Sequence, residues 1–130
     1  SELLAFEAKD IAESSNSVSL IVSGLLVPDT TYLAYRQLAA RGGAIRVLIQ
    51  KPEETPSRIL EDWQGLGASI RYIKNAEFRL IIIDEKIVYI TSYNEKAKNE
   101  AYGVRIQSTS IASQMAHLFE INWLSGAKNR

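Results

Sequence analysis

EFRLIIIDEKIVYITSYN, residues 77–94, is the stretch on which the reading of this chain turns. Two apolar runs, Phe78–Ile83 and Ile87–Thr91, flank the charged triplet Asp84-Glu85-Lys86, and this pattern predicts a β-hairpin. Alternation along a strand puts Glu77 and Arg79 on one face. The second run ends in the short polar groups of Thr91-Ser92-Tyr93-Asn94. The expectation is a hairpin that gathers Glu77, Arg79, Asp84, Ser92 and Asn94 at one end of a sheet.

Upstream of the hairpin, helical and strand patterns alternate. Residues 2–15 read as a helix with Leu4, Ala8, Ile11 and Ala12 on one face. VSLIVSG, residues 18–24, reads as a short buried strand. Pro28-Asp29-Thr30 opens a helix carrying Leu33, Leu38 and Ala39, which Gly42-Gly43 stops. Residues 45–50 form a second strand. A helix starting between Thr55 and Ser57 carries Ile59, Leu60 and Trp63 and ends at Gly65 and Gly67, and residues 68–73 make a third strand. Beyond the hairpin come a polar loop (94–99), a sixth strand (102–107) and a closing helix (110–124). That last helix is expected to turn Ile111, Met115, Leu118 and Phe119 inward. The order α-β-α-β-α-β-β-β-β-α predicts an α/β fold with a mixed β-sheet and helices on both faces. The pairing should be parallel in the first half and antiparallel in the second. Residues 1–130 read as one domain, with no repeat and no linker.

The 130 residues are 46% hydrophobic and 23% charged, an ordinary globular balance. Lysine plus arginine and aspartate plus glutamate are equal at 15 each, so the chain as a whole carries no electrostatic footprint for nucleic acid. There is no cysteine, which removes disulfides, thiol catalysis and the usual zinc sites and fits a cytoplasmic setting. No apolar run reaches the length of a membrane span.

The spacing within the quoted stretch is specific. Four residues separate Arg79 from Asp84, and six separate Asp84 from Thr91-Ser92-Tyr93-Asn94. This resembles the HKD motif of the phospholipase D superfamily, His-x-Lys, four residues, Asp, six residues, Gly-Ser-x-Asn. Every spacing matches. Asp84, Ser92 and Asn94 are kept, while Glu77 stands at the His position, Arg79 at the Lys and Thr91 at the Gly. The order of elements also resembles one half of a phospholipase D-like domain over nearly the whole chain. In that family the His attacks phosphorus, and the Lys and Asn bind phosphate oxygens. Glu77 is a poor substitute for an imidazole as phosphoryl acceptor, and its charge repels phosphate unless it is spent on pairing with Arg79. The only histidine, His117, is far from the motif and reads as solvent-exposed.

The resemblance therefore implies a phospholipase D-like half domain without catalytic residues, metal or cofactor. It is similar to the effector domains of TrmB-type transcription regulators of bacteria and archaea, which follow an N-terminal DNA-binding domain. On that likeness the chain is expected to be part of a longer protein, to form a homodimer that rebuilds the two-motif arrangement, and to reach DNA only through another domain. A small polar or anionic ligand such as a sugar or phosphate would bind Arg79, Ser92 and Asn94, with Tyr93, Glu77 and Asp84 beside them. Two alternatives stay open: a phosphodiesterase or nuclease of the same superfamily with a rearranged site, and a protein- or lipid-binding module. The low basicity speaks against a membrane partner.

Each candidate also has a plain structural reading. Arg79 pairs internally with Glu77 or Asp84, Ser92 and Asn94 shape the loop, and Asp84 serves the turn. Val27-Pro28-Asp29-Thr30-Thr31 is a second candidate rim, because ligands of open α/β sheets gather at the carboxyl ends of parallel strands. There the plain reading is helix capping by Asp29 or Thr30.

Overall fold

Strand β1 (Ser17–Val22) is buried over almost its whole length, and the other elements are arranged around it. In the computed structural model, which describes residues 2–74, 78–91 and 103–129, five more strands join it. They are β2 (Ala44–Ile49), β3 (Ser69–Tyr72), β4 (Arg79–Ile83), β5 (Ile87–Thr91) and β6 (Gly103–Gln107). The spatial order is β3-β2-β1-β4-β5-β6. Strand β2 runs parallel to both β1 and β3, whereas β4 is antiparallel to β1 and to β5, and β5 to β6. The predicted switch from parallel to antiparallel pairing therefore falls between β1 and β4.

Helices α1 (Glu2–Glu13), α2 (Asp29–Ala40) and α3 (Ser57–Gly65) cover one face, and α4 (Thr109–Ser125) covers the other. Val18, Leu20 and Val22 of β1 point into the first core with Tyr35, Leu38 and Trp63, while Ile21 points into the second with Phe119 and Trp123. A 3₁₀ turn, Pro52–Glu54, which the pattern reading did not foresee, precedes α3. Gly42 ends α2 with φ +84, a conformation only glycine adopts without strain.

Helix α4 crosses its whole face of the sheet. At its start the Ser108 N–H donates to the Lys86 carbonyl, and the Ser108 hydroxyl accepts the Ile111 N–H at 3.2 Å as an N-cap. Past its end, Ala127 and Tyr72 exchange two backbone hydrogen bonds of 2.8 Å, which covers part of the exposed edge of β3. Arg71 donates to the Trp123 carbonyl at 2.6 Å and lies over the Trp123 ring.

The inward faces of three helices differ from the periodicity reading. On α1 and just past its end the buried side chains include Glu7, Asp10, Ile11 and Ser14, whereas Ala12 is exposed. On α2 they are Thr31, Ala34, Tyr35 and Leu38, and Leu33 is 49% exposed. On α4 they are Ala112, Phe119 and Trp123, and Ile111 is 40% exposed. Each helix is rotated to bury its largest ring or its paired polar groups, and smaller apolar residues are left outside. The α2 N-cap position is Pro28 with no side-chain hydrogen bond, so neither Asp29 nor Thr30 caps it.

Candidate functional site

The hairpin register separates residues that the sequence reading put together. Arg79, first in β4, pairs with Thr91, last in β5. Leu80 pairs with Ile21, so Arg79 lies at the carboxyl end of β1. Asp84 follows the other end of β4, where its N–H donates to the Ser17 carbonyl at the start of β1. Five residues of extended chain put the two about 17 Å apart along the strand. Asp84 is thus not gathered with Arg79.

The Asp84 carboxylate accepts three backbone N–H groups, from Ser15 at 3.0 Å, Asn16 at 2.8 Å and Ser17 at 3.0 Å. Burial acts to raise its pKa, but the three N–H bonds outweigh it and hold the carboxyl below its usual range. A carboxylate spent on three amides of its own chain is a clamp on the α1–β1 loop. Glu77, Ser92, Tyr93 and Asn94 lie outside the described residues, as does the expected polar loop at 94–99.

Alternation places Arg79 with Ile81 and Ile83 on the face packed by α1, α2 and α3. There it meets the field of Glu7, a residue of α1 that is only 8% exposed. Burial pushes the Glu7 carboxyl up to about 7, and the Arg79 charge offsets part of that rise. Tyr35 from α2 is fully buried, and its hydroxyl has no hydrogen-bond partner among the described residues. Burial first, and the Glu7 charge second, raise its pKa well above the ordinary tyrosine value.

One turn further along α1, Asp10 makes a second polar group. It accepts the Tyr89 hydroxyl of β5 and two bonds from Arg105 of β6, Nε at 2.8 Å and Nη2 at 3.1 Å. Burial acts to raise the Asp10 pKa, yet the bonds from Arg105 and Tyr89 prevail and hold it low. Tyr89 is raised by burial and by its bond to Asp10. The inward side of α1 thus lays two carboxylates over β4, β5 and β6. Sequence reasoning missed both, because it sought apolar positions. The readable signal was the spacing of Glu7, Asp10 and Ser14 around Ile11, a single helical stripe.

His117 is exposed on α4, across the sheet from Arg79, so it cannot join this group. Among the described residues no three His, Cys, Asp or Glu side chains converge as a metal site, and no helix is long and apolar enough to cross a membrane. The second candidate rim is a real edge: Val27 and Asp29 line a cleft against α3. Chemically, this end of β4 holds a guanidinium, Arg79, within the field of the buried Glu7 carboxyl. The imidazole of His117, the only one in the chain, is on the wrong face to act as nucleophile there.

A six-stranded mixed sheet between two helical layers, with the HKD spacing laid on its β4–β5 hairpin, defines a phospholipase D-like domain. The chain belongs to the family described as "Cardiolipin synthase, PLD-like domain", whose model matches residues 8–123. No curated protein matches it in sequence. Among solved structures it is similar to NucT from Helicobacter pylori, with TM-score 0.79 at 14% identity over 98% of this chain and 91% of that one. It is also similar to Nuc from Salmonella typhimurium, a phospholipase D family member, with TM-score 0.72 at 16% identity over 97% and 90%. A third likeness is to TrmBL2, an archaeal chromatin protein with a novel mode of DNA binding, with TM-score 0.71 at 16% identity. That match covers 96% of this chain but 49% of TrmBL2. At such identities these likenesses establish the fold alone.

Proposed function

We propose that this chain is a non-catalytic ligand-sensing and dimerisation domain of a bacterial or archaeal TrmB-type transcription regulator, working in the cytoplasm. The observation that carries this reading is Glu77 at the nucleophile position of a motif whose spacing is otherwise intact. The buried carboxyl of Glu7, within the field of Arg79, makes the site still less suited to phosphoryl transfer. The likeness to TrmBL2 supports the same reading, since this fold there makes up about half of a DNA-binding protein. A small polar or anionic ligand would bind at the open end of the hairpin through Arg79, Ser92 and Asn94, flanked by Glu77 and Tyr93. It would act by favouring one arrangement of a homodimer over another, which requires different affinity for the two. The outward side of α4 suits self-association: Ile121 and Leu124 are 67% and 79% exposed, and Glu120, bonded to Arg46, is the helix's one carboxylate or lysine/arginine-type charge.

Reading the coding sequence upstream of Ser1 tests this directly. A winged-helix or helix-turn-helix segment is expected there, and the whole protein should bind DNA through it. An unrelated domain at that place overturns the regulator reading. The second reading, a phosphodiesterase or nuclease with a rearranged site, is favoured by the match to nearly the full length of Nuc and NucT. It requires hydrolysis of a phosphodiester that depends on Arg79.

A further inference from the structure

Between α2 and α3 a cleft of about 290 Å³ opens beside the loop that follows β1. Its lining is mixed, and the apolar and aromatic part comes from Leu25 and Val27 of the loop, Ile59 of α3, and Tyr32 set edge-on to Trp63 with ring centroids 5.7 Å apart. The loop is held in place. The Leu25 N–H donates to the Thr55 hydroxyl at 2.8 Å, and a Cβ added at Gly24 would lie 2.9 Å from the Glu54 Cβ. The chain can approach the 3₁₀ turn this closely only because residue 24 is glycine.

Three charged side chains surround these walls. Asp29 stands on the first turn of α2, and Arg58 and Asp62 stand one turn apart on α3. All three are exposed. Among the described residues none of them makes an ion pair or a side-chain hydrogen bond, whereas Arg46 is bonded to Glu120 and Arg105 to Asp10. The cleft thus presents one guanidinium and two carboxylates, unspent, beside the apolar groups of Leu25, Val27 and Ile59.

We propose that this cleft binds a zwitterion with an apolar side chain, the chemistry of a free α-amino acid such as leucine or phenylalanine. Arg58 offers its planar fork to the carboxylate, and Asp29 and Asp62 receive the ammonium. The apolar side chain fills the space against Leu25, Ile59 and the Tyr32 ring. Other ligand classes fit less well. A phosphate would meet two carboxylates, and neither a neutral sugar nor a pure hydrocarbon would draw on the charges of the three side chains. The volume is at the small end of ligand pockets, which suits a single amino acid. The cleft is built without Arg79 or Glu7, so this inference does not rest on the regulator reading.

The test is thermal unfolding and titration calorimetry of the full chain with L-leucine and L-phenylalanine. Controls are N-acetyl-L-leucine, which lacks the ammonium, L-leucinamide, which lacks the carboxylate, and glucose and inorganic phosphate. Saturable binding of at least one free amino acid is expected, with both blocked forms of leucine weaker by about tenfold or more. Arg58→Gln and Asp62→Asn should each weaken binding by about tenfold and leave the unliganded melting temperature unchanged, because both residues are exposed and unpaired. No saturable binding by either amino acid at millimolar concentration overturns the proposal. So does equal binding of the blocked forms, or preferential binding of glucose or phosphate. Binding without any DNA-binding domain upstream would uphold this site while the regulator reading failed.

Discussion

The Asp84 carboxylate accepts the Asn16 N–H at 2.8 Å and so ties the tip of the β4–β5 hairpin to the loop between α1 and β1. The tip is costly by itself. Asp84 and Glu85 both have positive φ, 53° and 51°, as a type I′ turn demands, and Lys86 N–H closes it on the Ile83 carbonyl at 3.0 Å. Left-handed backbone costs a non-glycine residue roughly 1–2 kcal/mol. The three amide bonds to Asp84 offset that cost and fix the hairpin against the centre of the sheet. Asp84→Ala is therefore expected to destabilise the fold by about 2–3 kcal/mol in urea unfolding. A loss below about 0.5 kcal/mol would show that the amides find other partners.

Glu7 gives stability a pH dependence of definite sign. The unfolded carboxyl titrates near its model value of 4.5, and the folded one near 7. Between those values the native state holds more protons, so stability falls as pH rises from about 4.5 to about 7 and then levels. The size of the fall is of the order of 3 kcal/mol. Urea midpoints at pH 5 and pH 8 should show it, and Glu7→Gln should remove most of the difference. An unchanged pH difference in that variant would mean that another group is responsible.

Asp84 and Asp10 act in the opposite direction. Both folded pKa values are depressed, so their contribution is complete above the unfolded value near 4 and is lost as pH falls through the folded value. Stability should therefore peak between the two windows, near pH 4–5, and fall on the acid side. Asp84→Asn should flatten the acid limb without altering the fall between pH 5 and pH 8.

The Asp10–Tyr89–Arg105 group predicts unequal costs for its members. Tyr89→Phe removes a donor together with the need to satisfy it and should cost about 1 kcal/mol or less. Asp10→Ala leaves a buried tyrosine hydroxyl and the Arg105 charge without their acceptor, and should cost about 3 kcal/mol. Denaturation of the two variants and their double mutant measures both costs and the coupling. The reverse order would contradict the assigned roles.

Most of the fold was legible because β-branched runs such as Val18–Val22 and Ile45–Ile49 and the punctuation at Gly42 and Gly67 are local signals. The α1 face was not. Glu7 and Asp10 face inward only because Arg79, Tyr89 and Arg105 arrive from strands far along the chain, and no helical periodicity records that. The motif spacing correctly marked a hairpin, yet its linear order concealed that Arg79 and Asp84 occupy opposite ends of one strand. The Arg58 and Asp62 side of the cleft was equally hidden, since α2 and α3 meet only in the fold.

If the phospholipase D-like motif is kept in outline and silent in chemistry, as proposed, the chain has no phosphodiesterase activity. The direct measurement is hydrolysis of bis(p-nitrophenyl) phosphate at high protein concentration in the presence of EDTA, with Arg79→Ala assayed in parallel. Both proteins should show the rate of buffer alone. Metal-independent turnover by the natural chain that disappears in Arg79→Ala would contradict the account and identify an enzyme.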